Sequence, residues 1–83
     1  MDNVAEIFDK MSREIKATQN YEHKKDLLKL YKSCENIHFE ITNELVECKR
    51  RKHQSVKLQR LQKEFEQAVE NFEQWLVFSR LLS

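Results

Sequence analysis

Apolar residues recur at steps of three and four positions along three separate stretches of the chain. Such spacing places them on one face of an α-helix, which has 3.6 residues per turn. The pattern predicts three helices, over about residues 3–18, 21–51 and 55–82. In the second stretch the steps alternate regularly between four and three, which is typical of a heptad seam.

Local signals mark the ends of the first two helices. Asn3 followed by Glu6 fits a capping box, in which the two side chains satisfy backbone N–H groups at a helix start. The apolar pattern fades over residues 17–23, where Thr18 and Asn20 are residue types that bond to nearby backbone and tolerate turns. We therefore expect a bend or short loop between the first and second helices.

The junction between the second and third helices has two interpretations. Continuing the second seam past Cys48 leads to Lys52, Ser55 and Gln59, none of which is apolar, and the apolar pattern restarts out of phase at Leu58. A phase shift of this kind fits either a stammer in one continuous helix or a turn near residues 50–56. We favour the turn, with Ser55 as the N-cap of the last helix.

The composition supports long helices with few corners. The chain has 83 residues, 40% hydrophobic and 35% charged, and contains neither glycine nor proline, the usual residues of tight turns. A chain this short buries a thin core, and such cores are often completed by a partner. We predict a single all-α domain over residues 1–83, a helical hairpin or coiled-coil-like bundle completed by oligomerisation.

Charge is unevenly distributed, with seven cations and no acid between residues 49 and 63. The stretch has no aromatic residues interleaved with its cations, and no recognised nucleic-acid-binding motif surrounds it. Either it is a solvated turn or it contacts phosphates of nucleic acid or an anionic membrane. The candidate anion-binding residues are Lys49, Arg50, Arg51, Lys52, Lys57, Arg60 and Lys63.

Large apolar side chains are concentrated at the end of the third predicted helix. They cover more than a narrow stripe, and large aromatic residues dominate the energetics of interfaces. They either pack into the chain's own core or contact a partner protein. The candidate partner-binding residues are Phe65, Phe72, Trp75, Leu76, Phe78 and Leu82.

Little in the sequence supports chemistry at a site. Cys34 and His38 share a helix face, but Cys48 and His53 lie too far along a straight helix to complete a tetrahedral zinc site. Cys34 could instead face its counterpart in a parallel dimer. No nucleophile has a base at a meaningful spacing, so we expect no enzyme, no metal, no cofactor and no small-molecule substrate.

Targeting signals are weak. The first residues do not form a signal peptide, and no stretch is apolar enough to span a membrane. With two cysteines, the composition favours a reducing compartment, the cytoplasm. Residues 49–53 also fit a loose nuclear-localisation pattern, which leaves the nucleus as an alternative.

One local likeness concerns the third helix. Phe65, Val69, Trp75-Leu76 and Leu81-Leu82 resemble the first helix of a spectrin repeat over about nineteen residues, whereas the family's other helices are not recognisable elsewhere. The resemblance implies a scaffold or cytoskeletal linker. Together these features predict a protein–protein interaction module, a structural or adaptor subunit of a homo- or hetero-oligomer. The alternative is a basic helical module that binds nucleic acid or an anionic membrane through residues 49–63.

Overall fold

The computed structural model describes residues 4–52 and 55–82, with the Leu82 side chain excepted. These residues form three helices and no strand: α1 (Val4–Ala17), α2 (Tyr21–Arg51) and α3 (Val56–Leu82). The prediction of an all-helical bundle is confirmed, and the helix ends lie within one residue of those predicted. Asn3, half of the predicted capping box, lies outside the described residues.

The turn between α1 and α2 is built from the two polar residues that the sequence singled out. The Thr18 hydroxyl donates to the Glu14 carbonyl at 2.8 Å, which satisfies a carbonyl at the end of α1. The Asn20 side chain accepts a hydrogen bond from the His23 N–H at 3.2 Å and so caps the start of α2. Residues 18–20 therefore reverse the chain without glycine.

The chain turns between α2 and α3, so these two helices form a hairpin. Lys52 caps α2 in the left-handed conformation, with φ 53° and ψ 47°, and its N–H donates to the Cys48 carbonyl. Ser55 caps α3 by accepting from the Leu58 N–H at 3.2 Å, as predicted. The favoured turn is confirmed, and a continuous helix through a stammer is excluded.

The two long helices pack antiparallel, and α1 lies against one side of the pair. His23 of α2 approaches Trp75 of α3 at one end, and Ser55 bonds to Glu44 at the other. The ring of Phe8 in α1 makes edge-on or tilted contacts with the rings of Tyr31, His38 and Phe65, at centroid distances of 5.5–6.0 Å. An ion pair between Glu14 and Arg80 joins the end of α1 to the end of α3.

The core follows the predicted apolar faces. The bundle is an elongated rod with principal extents of 50 × 21 × 18 Å, so few side chains are fully enclosed. The largest fully buried side chains are those of Phe72, Leu27, Leu61 and Cys34. Among the described residues, the buried core consists of Met11, Ile15, Leu27, Cys34, Ile41, Leu61, Phe65, Phe72 and Leu76.

Candidate interaction surfaces

Half of the predicted partner-binding residues lie in the interior of the chain's own bundle. Phe65, Phe72 and Leu76 are 9%, 1% and 8% exposed. Their place on α3 follows from the heptad spacing, which turns them towards α2 and α1. They stabilise the fold and expose almost no surface that another protein could contact. The Leu82 side chain lies outside the described residues.

The other two predicted residues form an aromatic pair at the edge of the core. The rings of Trp75 and Phe78 stack at a centroid distance of 4.8 Å and an interplanar angle of 19°. Phe78 is 46% exposed, whereas Trp75 is half-buried. The Trp75 indole N–H is buried and has no hydrogen-bond acceptor among the described residues. This pair is the part of the predicted aromatic cluster that other molecules can reach.

A shallow groove adjoins the aromatic pair. Its walls come from α2 and α3, and its lining combines apolar and polar side chains. Because Val69 and Leu76 face α1 across a separate depression, the groove beside Trp75 opens on the side of the hairpin away from α1. We call it the Trp75 groove; its lining residues are Asp26, Lys29, Leu30, Asn71 and Trp75.

The predicted anion-binding residues are gathered at the tip of the hairpin. Four of them lie at the end of α2 and three lie in the first two turns of α3. All seven are exposed: Lys49, Arg50, Arg51, Lys52, Lys57, Arg60 and Lys63. Glutamates partly neutralise them: Arg50 and Arg51 lie 3.7 and 3.5 Å from Glu47, and Arg60 lies 3.9 Å from Glu64. The antiparallel turn is what brings the two halves of this basic tip together.

A further row of apolar side chains on α2 was not recognised from the sequence. Tyr21, Leu28, Phe39 and Val46 are 73%, 42%, 67% and 59% exposed, although all four are large and apolar. They share one face of α2, because their separations of 7, 11 and 7 residues are each close to whole numbers of helical turns. The sequence does contain a signal for this row: the alternation of three- and four-residue steps that identifies the buried seam from Leu27 also identifies the exposed row when it is started at Tyr21.

Cys34 and His38 occupy structural positions. Cys34 is fully buried, and this burial raises the pKa of its thiol. His38 is half-buried and packs against the rings of Phe8 and Phe65 at 5.7 and 6.0 Å. Within residues 4–52 and 55–82, no group of three or more His, Cys, Asp or Glu side chains is placed to hold a metal ion. Burial also keeps Cys34 from the counterpart thiol of a second chain.

Comparison with known proteins does not identify a relative. No family model, curated protein or solved structure matches the chain. The likeness to a spectrin repeat is therefore limited to the residue pattern of α3. Among the described helices, none combines the length and apolar character needed to cross a bilayer.

Proposed function

We propose that the chain is a protein–protein interaction module, a structural or adaptor subunit that binds a partner helix in the Trp75 groove. The observation that carries this proposal is the Trp75–Phe78 pair, stacked at 4.8 Å and left partly outside the core. Partly exposed aromatic residues beside a groove are typical anchors of binding, because their large apolar area is lost from water when a partner covers them.

The lining of the groove suggests the character of the partner. Leu30 and Trp75 are its apolar lining residues, and Asp26, Lys29 and Asn71 are its polar ones. An apolar lining of this kind suits one apolar face of an amphipathic helix, and the mixed charges suit a polar flank of either sign. Phe78 is not among the lining residues, but its ring stacks on that of Trp75 and adds exposed apolar area beside the groove.

The test first places a photo-crosslinking amino acid at position 78, in cells that make the protein, to capture the partner. The same amino acid at position 67, which is exposed on the same helix, is the control. Affinity for the captured protein is then measured with purified components. Phe78→Ala should weaken binding at least tenfold, because interface anchors contribute more than about 1.4 kcal/mol. Val77→Ala is the matched control, since Val77 is 58% exposed but lines the depression shared with α1. Equal affinity of the Phe78→Ala variant would contradict the proposal.

A second candidate function is favoured by the geometry of the basic tip. The hairpin places seven exposed cations at one end of a rod 50 Å long, so their fields add. Such a tip would bind the phosphates of nucleic acid with an affinity that falls steeply with salt. Charge reversal of Arg50 and Arg51 should then abolish DNA binding, whereas reversal of the exposed pair Lys24 and Lys25 should preserve it. Binding unaffected by reversal at the tip would count against this candidate.

A further inference from the structure

The outer face of α2 carries a continuous stripe that the bundle leaves uncovered. Starting at Tyr21, steps of four and three residues reach eight positions, every one of them exposed. None of the eight belongs to the described core, to which α2 contributes other side chains, among them Leu27, Cys34 and Ile41. We call these residues the α2 stripe: Tyr21, Lys25, Leu28, Lys32, Glu35, Phe39, Thr42 and Val46.

The α2 stripe has the same order of apolar and polar residues when it is read from either end. It runs apolar, polar, apolar, polar, and then polar, apolar, polar, apolar, with Lys25 matched by Thr42 and Lys32 by Glu35. A pattern with this symmetry is complementary to a second copy of itself lying antiparallel. We propose that the α2 stripe is the interface of a dimer in which two copies of this chain pair about a two-fold axis, the commonest symmetry of oligomers.

In this register every apolar residue of the stripe faces another apolar residue. Tyr21 lies opposite Val46 of the second copy, and Leu28 lies opposite Phe39 of the second copy. The two-fold axis repeats both contacts, so all four exposed apolar side chains are covered in both chains. The groove beside Phe39, lined by Phe8, Tyr31, Glu35, His38 and Thr42, would receive the facing leucine.

The charges at the centre of the stripe select the antiparallel orientation. Lys32 lies opposite Glu35 of the second copy, and the axis repeats this pair with opposite charges. A parallel, in-register dimer would instead face Lys25, Lys32 and Glu35 with themselves, and like charges directly opposed are destabilising. Neither Lys32 nor Glu35 makes an ion pair within the described part of its own chain, so both are available.

The contact area indicates a weak, concentration-dependent dimer. From Tyr21 to Val46 the helix rises through 25 residue steps, about 38 Å at 1.5 Å per residue, and the stripe is one helix wide. Such a strip falls in the class of small interfaces, below about 1,200 Å² in total, which are typically transient. The dimer uses a different face from the Trp75 groove, so it goes beyond the proposed adaptor function and does not depend on it.

The decisive experiment exchanges the two central charges. Sedimentation equilibrium over two orders of magnitude in concentration measures the dissociation constant of the wild-type dimer. Lys32→Glu alone and Glu35→Lys alone should each weaken the dimer at least tenfold, because each places like charges opposite one another twice. The double variant carrying both changes should dimerise as the wild type does. An equimolar mixture of the two single variants should form a heterodimer.

Controls separate a specific interface from general effects. All exchanged residues are exposed, and circular dichroism checks that each variant keeps its helix content. Val56→Ser removes an apolar side chain that is 83% exposed but lies off the stripe, and it should leave the dissociation constant unchanged, whereas Phe39→Ser should raise it. A wild-type chain that stays monomeric, or single variants that dimerise as well as the wild type, would overturn the proposal. Phe78→Ala should leave the dimer intact, which keeps this test independent of the Trp75 groove.

Discussion

Ser55 and Glu44 join the two long helices at the tip of the hairpin. The Ser55 hydroxyl donates to Glu44 Oε1 at 2.7 Å and accepts from the Leu58 N–H at 3.2 Å. One hydroxyl thus caps α3 and ties its first turn to α2.

Ser55→Ala should lower the free energy of unfolding by about 1–2 kcal/mol, since it removes a helix cap and a side-chain bond together. Urea denaturation followed by circular dichroism measures the change. Ser33→Ala is the matched control, because Ser33 is exposed in the middle of α2 and alanine is the better helix former there. Equal stability of the two variants would show that Ser55 does not hold the turn.

Lys52 ends α2 in a conformation that suits glycine better than lysine. With φ at 53° and ψ at 47°, its side chain crowds the backbone, which costs an L-residue about 1–2 kcal/mol. Lys52→Gly should therefore raise the free energy of unfolding by about 0.5–1 kcal/mol, after allowance for the greater freedom of the unfolded chain.

The control for this change is the same substitution one turn earlier. Lys49→Gly lies within the regular part of α2 and should lower the free energy of unfolding by about 1 kcal/mol. Opposite signs at Lys49 and Lys52 would support a left-handed cap at Lys52 in solution. A loss of stability in both variants would show that the turn is not formed there.

Helix α1 packs through the buried side chains of Met11 and Ile15 and through the half-buried ring of Phe8. The Phe8 ring contacts residues of both α2 and α3, whereas the Glu14–Arg80 pair at the other end involves an arginine side chain that is 62% exposed. Phe8→Ala should lower the free energy of unfolding by about 2 kcal/mol, less than for a fully buried phenylalanine. Arg80→Ala should cost only about 0–1 kcal/mol, because exposed ion pairs contribute little. Proteolytic cleavage near Gln19 should become faster in the Phe8 variant alone.

The sequence predicted the helices well because their evidence is local. Spacing located all three, and the polar residues Thr18, Asn20 and Ser55 located the turns through their backbone hydrogen bonds. Lys52 was not predicted as a left-handed residue, because no feature of a lysine distinguishes a cap from a helix interior.

The surfaces were harder to predict than the fold. Phe72 and Phe78 have the same residue type and lie on the same helix, yet they are 1% and 46% exposed. Phe72 lies on the heptad spacing of the buried face and Phe78 lies off it. How far a residue off that spacing is covered depends on how the helices pack, which is a property of the tertiary structure. Phe39 was overlooked because residue spacing identifies an apolar face of a helix but does not tell whether another helix covers that face.

Alkaline pH offers a test of the buried seam. Burial raises the pKa of the Cys34 thiol. The pKa of the Tyr31 hydroxyl is also raised, mainly by burial and to a smaller extent by the negative charge of Glu35. A raised pKa means that the fold favours the protonated form. The resulting contribution to stability is complete below the pKa of the unfolded chain and is lost as pH rises, because the unfolded thiol ionises first.

The free energy of unfolding should therefore fall as pH rises above about 8.5, where thiols of unfolded chains ionise, and should fall further as tyrosine begins to ionise near pH 10. Urea denaturation at a series of pH values measures the slope. Cys34→Ala should be less stable at neutral pH, because it leaves a small cavity, but its stability should fall less between about pH 8 and 9.5. Tyr31→Phe should keep the first fall and reduce the second. If Cys34→Ala and the wild type lose stability in parallel, the Cys34 thiol is not buried in the folded chain.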